Sequence, residues 1–68
     1  MEPHQERVVA ERAELSEKVS KLAAFVDGGR MADIPVPERT LLIGQLSVMR
    51  EYLSILDERL ALWVTKGA

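Results

Sequence analysis

The second half of the chain repeats apolar residues every seven positions along two adjacent lines, a pattern typical of packed helices. The first line comprises Leu42, Met49, Leu56 and Trp63, with Leu46, Leu53 and Leu60 between them. The second line comprises Leu41, Val48, Ile55 and Leu62. One partner helix cannot cover both lines, so we expect copies of the chain to associate through this second helix.

The first half of the chain has the pattern of one long helix, about residues 3–27. Pro3 stands where the first turn of a helix accepts proline, and no glycine occurs before Gly28. The pair Gly28-Gly29 predicts a left-handed end to this helix. Its core-facing stripe comprises Val8, Leu15 and Leu22, with Val19 and Val26 on the same side, and its favourable i,i+4 charge pairs are Glu14 with Lys18 and Glu17 with Lys21.

The link between the halves, about residues 28–36, carries enough turn-forming residues to reverse the chain. Pro37 and Glu38 then suit the first turn of a second helix, about residues 37–64, because Glu38 faces the positive end of its dipole. At 1.5 Å per residue each helix is about 40 Å long. The sequence therefore predicts an all-α fold, an antiparallel two-helix hairpin that forms a single domain over residues 1–68.

The chain is too short to build a large core of its own. It has 68 residues and no cysteine, so neither a disulfide nor a thiolate metal site can stabilise it. We therefore expect a homo-oligomer, at least a dimer. The net charge of −2 argues against binding to a DNA or RNA polymer, which favours basic proteins.

The sequence favours a cytosolic protein. Its longest uncharged stretch, residues 40–49, is about half of what a membrane span needs and contains Gly44, Gln45 and Ser47. The first residues are acidic and lack the apolar segment of a signal peptide. We expect no membrane association.

Catalysis is not expected from this set of side chains. The chain has one histidine, His4, and no cysteine, so no nucleophile and base can be paired. Glu11, Glu14 and Glu17 could suggest a carboxylate metal site, but no Glu-x-x-His accompanies them, which favours a solvated helix face. We expect no metal and no cofactor.

A polar line borders the apolar stripe of the first helix. His4, Glu11, Lys18 and Phe25 stand seven residues apart along it. They are either solvated edge residues of a coiled-coil seam or the lining of a polar groove between protomers.

Both helices carry specific residue patterns in addition to the apolar repeat. The first helix contains His4-Gln5-x-Arg7-Val8-Val9-x-Glu11-x-x-Glu14-Leu15-x-x-Lys18-x-x-Lys21-Leu22-x-x-Phe25-Val26. After Pro35, the second contains Leu41-Leu42-x-x-Gln45-x-x-x-Met49-x-x-Tyr52-x-x-Ile55-Leu56-x-x-Arg59-Leu60. Over about residues 4–62 the chain resembles the anti-CBASS and anti-Thoeris hairpin sponges, phage proteins that sequester the cyclic nucleotide messengers of bacterial defence without cleaving them.

The resemblance implies a helical hairpin assembled into a hexamer in the cytoplasm of the bacterial host. It implies that cyclic dinucleotides or cyclic ADP-ribose-type messengers bind between protomers, and that some members hold cyclic trinucleotides near the three-fold axis. The ligand-binding residues it implies are His4, Gln5, Arg7, Glu11, Lys18 and Arg59. The chain departs from the family's pattern at His4, where many relatives carry Tyr, and this bears on base stacking and on the preferred messenger.

The spacing of these residues agrees with a site between protomers. His4 and Lys18 are 14 residues, about 21 Å, apart on one helix, so a single chain cannot close them around a small ligand. His4 of one protomer could instead approach Lys18 of another, which would supply a ring for stacking and a cation for phosphate.

Structural alternatives remain for several of these residues. Arg7 could pair with Glu11, Arg59 could be a solvated cation near the helix end, and Tyr52 favours interface packing over ligand contact. For the whole chain, the alternative function is a structural coiled-coil adaptor that binds a protein partner.

Overall fold

The computed structural model describes the backbone of residues 2–67 and the side chains of residues 2–63. The ends of the predicted domain, residues 1 and 68, lie outside the described residues. The described part contains helices and no strand: helix α1 covers Pro3–Asp27, a short 3-10 helix covers Gly29–Asp33, and helix α2 covers Val36–Gly67. The molecule measures 49 × 16 × 14 Å, the shape of a two-helix rod.

Helix α1 begins with a reciprocal cap. Glu2 precedes the helix, Pro3 occupies its first position, and the backbone N–H of Glu2 donates a hydrogen bond to Oε1 of Gln5 over 3.0 Å. This arrangement satisfies a backbone group that the start of a helix leaves unpaired. The first turn of α1, which carries His4, is therefore ordered by its own side chains.

The link between the helices differs from the predicted one. Gly28 is extended, with φ −83° and ψ 167°, and no described residue has a positive φ, so the predicted left-handed stop at Gly28-Gly29 is wrong. The chain passes directly into the 3-10 helix, and the Gly28 N–H closes α1 through a hydrogen bond to the carbonyl of Phe25 over 3.2 Å. A Cβ at Gly28 would lie 3.2 Å from the carbonyl oxygen of Ala24, so glycine is favoured here by space.

Helix α2 begins at Val36, so Pro37 is its second residue rather than its first. The missing N–H of proline is still tolerated there, because the first turn has no intrahelical acceptors for its N–H groups. The backbone N–H of Arg39 donates to the Pro35 carbonyl over 3.0 Å, which closes this first turn.

The core is a thin strip between the helices. Val8 and Leu15 of α1 and Leu56 of α2 form its buried cluster, and Leu56 is fully buried. The partly buried residues packed against this cluster are Val19, Met49, Leu53, Leu60 and Trp63. These are residues of the two stripes that the seven-residue spacing assigned to the core.

The second apolar line of α2 lies outside this core. Its exposed fractions are 74% for Leu41, 65% for Val48, 51% for Ile55 and 68% for Leu62. The single hairpin thus leaves exposed the second apolar line of α2, for which the sequence pattern predicts a further partner.

Candidate functional site

The open end of the hairpin, opposite the linker, brings three side chains together. The rings of His4 in α1 and Trp63 in α2 lie 5.5 Å apart between centroids, with their planes at 88°. Arg59, one turn before Trp63, places its Cζ 5.6 Å from the centroid of the Trp63 ring. Both distances fall within the ranges of favourable aromatic pairs and cation–π contacts. We call His4, Arg59 and Trp63 the end cluster.

The end cluster combines one half-buried residue with two exposed ones. Trp63 is half-buried and packs against the core cluster, whereas His4 and Arg59 are exposed. The seven-residue spacing assigns Trp63 to the core line alone and does not predict its contacts with His4 and Arg59. The spacing of Arg59 and Trp63, one helical turn apart, was the available signal.

A second contact across the helices lies further along the rod. Arg12 Nε donates a hydrogen bond to Asp57 Oδ1 over 2.7 Å, and both side chains are partly exposed. The hydrogen bond to Asp57, together with its negative charge, raises the pKa of Arg12. This pair was not predicted, because the sequence alone does not give the register between the helices.

The other predicted ligand-binding residues lie along one side of α1. Arg7, Glu11 and Lys18 are exposed, and successive steps of three, four and seven residues from His4 place all four on one side of the helix. Lys18 is about 21 Å from His4 along the helix axis, so the single chain does not bring these two residues together. Gln5 is half-buried, and its side-chain oxygen accepts the hydrogen bond that caps α1.

Within residues 2–63, the charged groups on this side of α1 are mostly without ionic partners. Among residues 2–63, the ion pairs are Arg12 with Asp57 and Lys21 with Glu17, the latter at 3.1 Å. The predicted pair of Glu14 with Lys18 is therefore not formed, and neither is the alternative pair of Arg7 with Glu11. The cations at Arg7 and Lys18 therefore have no ionic partner among the residues that the structure describes.

Within the described residues, no three side chains of His, Cys, Asp or Glu lie close enough to hold a metal ion. Neither described helix has a stretch apolar and long enough to cross a bilayer.

The comparison with protein families decides what kind of hairpin this is. The model of the Sequestin family matches residues 2–62, which include all of α1 and most of α2. The chain belongs to the Sequestin family. The family's name indicates a protein that sequesters another molecule. No curated protein and no solved structure matches the chain significantly.

Membership in the Sequestin family bears on the candidate residues. All six predicted ligand-binding residues lie within the matched part of the chain, from His4 to Arg59. Trp63 lies just beyond it, so the contacts of Trp63 with His4 and Arg59 are not part of the family match.

Proposed function

We propose that this chain is a phage anti-defence sponge: it binds cyclic nucleotide messengers of bacterial immunity and holds them without cleavage. The observation that carries this proposal is the Sequestin match over residues 2–62. The exposed cations on one side of α1 support it, because cyclic nucleotides are phosphate diesters that require positive charge and stacking surfaces. The expected ligands are cyclic dinucleotides, cyclic trinucleotides and cyclic ADP-ribose variants.

The proposed site lies between protomers. Lys18 would supply its ammonium from one protomer while His4, Gln5, Arg7 and Arg59 act from another. This division follows from the separation of about 21 Å between His4 and Lys18 on one helix. A two-fold ligand such as a cyclic dinucleotide suits a site with two-fold symmetry.

Glu11 has a different proposed role from the cations. Its carboxylate would repel a phosphate, but it can accept hydrogen bonds from the amino or imino groups of a nucleobase. Glu11 would therefore contribute to base selection rather than to phosphate binding.

Association is proposed to use the exposed line of α2. Leu41, Val48, Ile55 and Leu62 are each more than half exposed in the single hairpin. A second copy of the chain would bury them, and we propose a hexamer built in this way. The assembly would act in the cytoplasm of the bacterial host, where the messengers are made.

We propose that binding of the messenger is enough to silence the immune signal, with no cleavage. The chain has no cysteine and one histidine, and the exposed His4 ring contacts Trp63 rather than a nucleophile and its base. A sponge must then be abundant and bind more tightly than the messenger's effector does.

Calorimetry with a panel of messengers tests the proposal. Binding of at least one cyclic dinucleotide, cyclic trinucleotide or cyclic ADP-ribose isomer is expected. The adaptor alternative would use the same exposed line of α2 for a protein partner, and failure of the whole panel to bind would favour it.

A further inference from the structure

The end cluster has features that a solvated helix end would not require. His4 lies in the first turn of α1, where a lone exposed ring would sample several rotamers. Instead its ring meets Trp63 at 5.5 Å and 88°, and the same indole carries the Arg59 guanidinium. The exposed side chains of His4 in α1 and Arg59 in α2 thus both contact the ring of Trp63.

Trp63 is suited to this supporting role. It packs against the core cluster of Val8, Leu15 and Leu56, so its position is set by the hairpin and not by solvent-exposed contacts. A large ring fixed in this way reduces the conformational entropy that His4 and Arg59 lose when a ligand binds.

We propose that Trp63 is a positioning residue of the messenger site: it holds His4 and Arg59 so that a nucleobase stacks on the imidazole while a phosphate of the messenger binds the guanidinium. This inference rests on the proposed function. Because an imidazole ring offers a small stacking surface, binding to it gains from a ring that is already held in place. Each end cluster would then receive one nucleotide unit of a cyclic messenger.

The test compares two substitutions of Trp63 by calorimetry, with the tightest-binding member of the messenger panel as the probe. Trp63→Leu keeps an apolar side chain against the core but removes the ring, and it should weaken binding about 10-fold or more. Trp63→Phe keeps an aromatic ring and should weaken binding about 3-fold or less. Melting temperature and light scattering on each variant establish that the fold and the assembly are retained.

A double-mutant cycle separates positioning from general packing. His4→Ala should weaken binding no more than Trp63→Leu does, because Trp63→Leu also removes the contact of Arg59. The double variant should be little worse than Trp63→Leu, in which the imidazole is already no longer held. Losses that multiply in the double variant would overturn the proposal, as would wild-type affinity in Trp63→Leu.

A ligand-free measurement keeps this inference distinct from the proposed function. In the free protein, the Trp63 ring current should displace the imidazole proton resonances of His4 in the NMR spectrum, and Trp63→Leu should abolish the displacement. If wild-type protein binds no member of the panel, the proposed function fails and the binding role of Trp63 fails with it. If the panel binds but His4 resonances are unaffected by Trp63→Leu, the positioning role alone is overturned.

Discussion

Arg12 in α1 and Asp57 in α2 join the two helices through a single hydrogen bond of 2.7 Å between Nε and Oδ1. This contact and the contact between His4 and Trp63 agree with one antiparallel arrangement, because His4 precedes Arg12 in α1 while Trp63 follows Asp57 in α2. The charged pair and the end cluster are therefore consequences of one alignment of the helices.

Reversing one charge of this pair should lower stability modestly, and reversing both should restore it. Arg12→Asp places two carboxylates together, and the double change Arg12→Asp with Asp57→Arg restores opposite charges. The expected loss of melting temperature is at most about 5 °C and smaller in high salt, because both side chains are partly exposed. Equal melting temperatures for the single and double variants would contradict a role for the pair in register.

The raised pKa of Arg12 determines how its contact with Asp57 contributes to stability at different pH values. A folded-state pKa above the unfolded value gives stability that is fully present below the unfolded pKa and is lost as pH rises through the folded one. Deprotonation of Arg12 should therefore contribute nothing to stability changes between about pH 6 and pH 9, where arginine stays charged. Chemical denaturation should therefore give the same difference in free energy of unfolding between wild type and Arg12→Gln at every pH in this range.

Leu56→Ala should be strongly destabilising, because Leu56 is fully buried between the helices. The expected loss is about 2–5 kcal/mol in the free energy of unfolding, from lost transfer energy and a residual cavity. Val9→Ala is the control, since Val9 is 41% exposed and its change should cost about 0.5 kcal/mol or less. Chemical denaturation at one fixed protein concentration measures both, because the stability of an oligomer depends on concentration.

Val48→Asp should dissociate the assembly while leaving the hairpin folded. Val48 is 65% exposed in the single chain, so a carboxylate introduced there is destabilising only if another protomer covers it. Burying it unpaired in an interface costs several kcal/mol of association free energy. Ser47→Asp adds the same charge at the neighbouring exposed position, off the apolar line, and should leave the mass unchanged. Light scattering that gives a monomer for wild type at micromolar concentration would contradict the proposed association.

Lys18→Ala should weaken messenger binding about 10- to 100-fold, the value of a charge-assisted hydrogen bond to phosphate. Lys21→Ala is the matched control, because Lys21 is on the same helix and pairs with Glu17 at 3.1 Å. Calorimetry on both variants separates a local contact from a general effect of net charge. Equal losses in the two variants would remove Lys18 from the site.

The fold was largely predictable because the apolar spacing encodes it directly. The seven-residue repeat separated the line containing Leu56, which is buried, from the line containing Val48, which is exposed. The linker was not predictable in detail, because Gly28 permits both a left-handed and an extended backbone and the following 3-10 helix decides between them.

The candidate site was predictable only as a set of residues. Sequence spacing places His4, Arg7, Glu11 and Lys18 on one side of α1, but contacts between helices depend on a register that the spacing within each helix does not give. The contact of His4 with Trp63 and the hydrogen bond of Arg12 with Asp57 arise from that register. The contribution of Lys18 from a second protomer stays a prediction.

The most direct test of the central claim is recovery of the messenger after capture. The protein is saturated with the tightest-binding cyclic nucleotide of the panel, freed of excess ligand, and heat-denatured, and the released nucleotide is identified by mass spectrometry and chromatography. We predict that the intact cyclic messenger returns in stoichiometric amount, together with a rise in melting temperature of the complex before release. Recovery of a linearised nucleotide, with turnover lost in Lys18→Ala or His4→Ala, would contradict sequestration and show an enzyme.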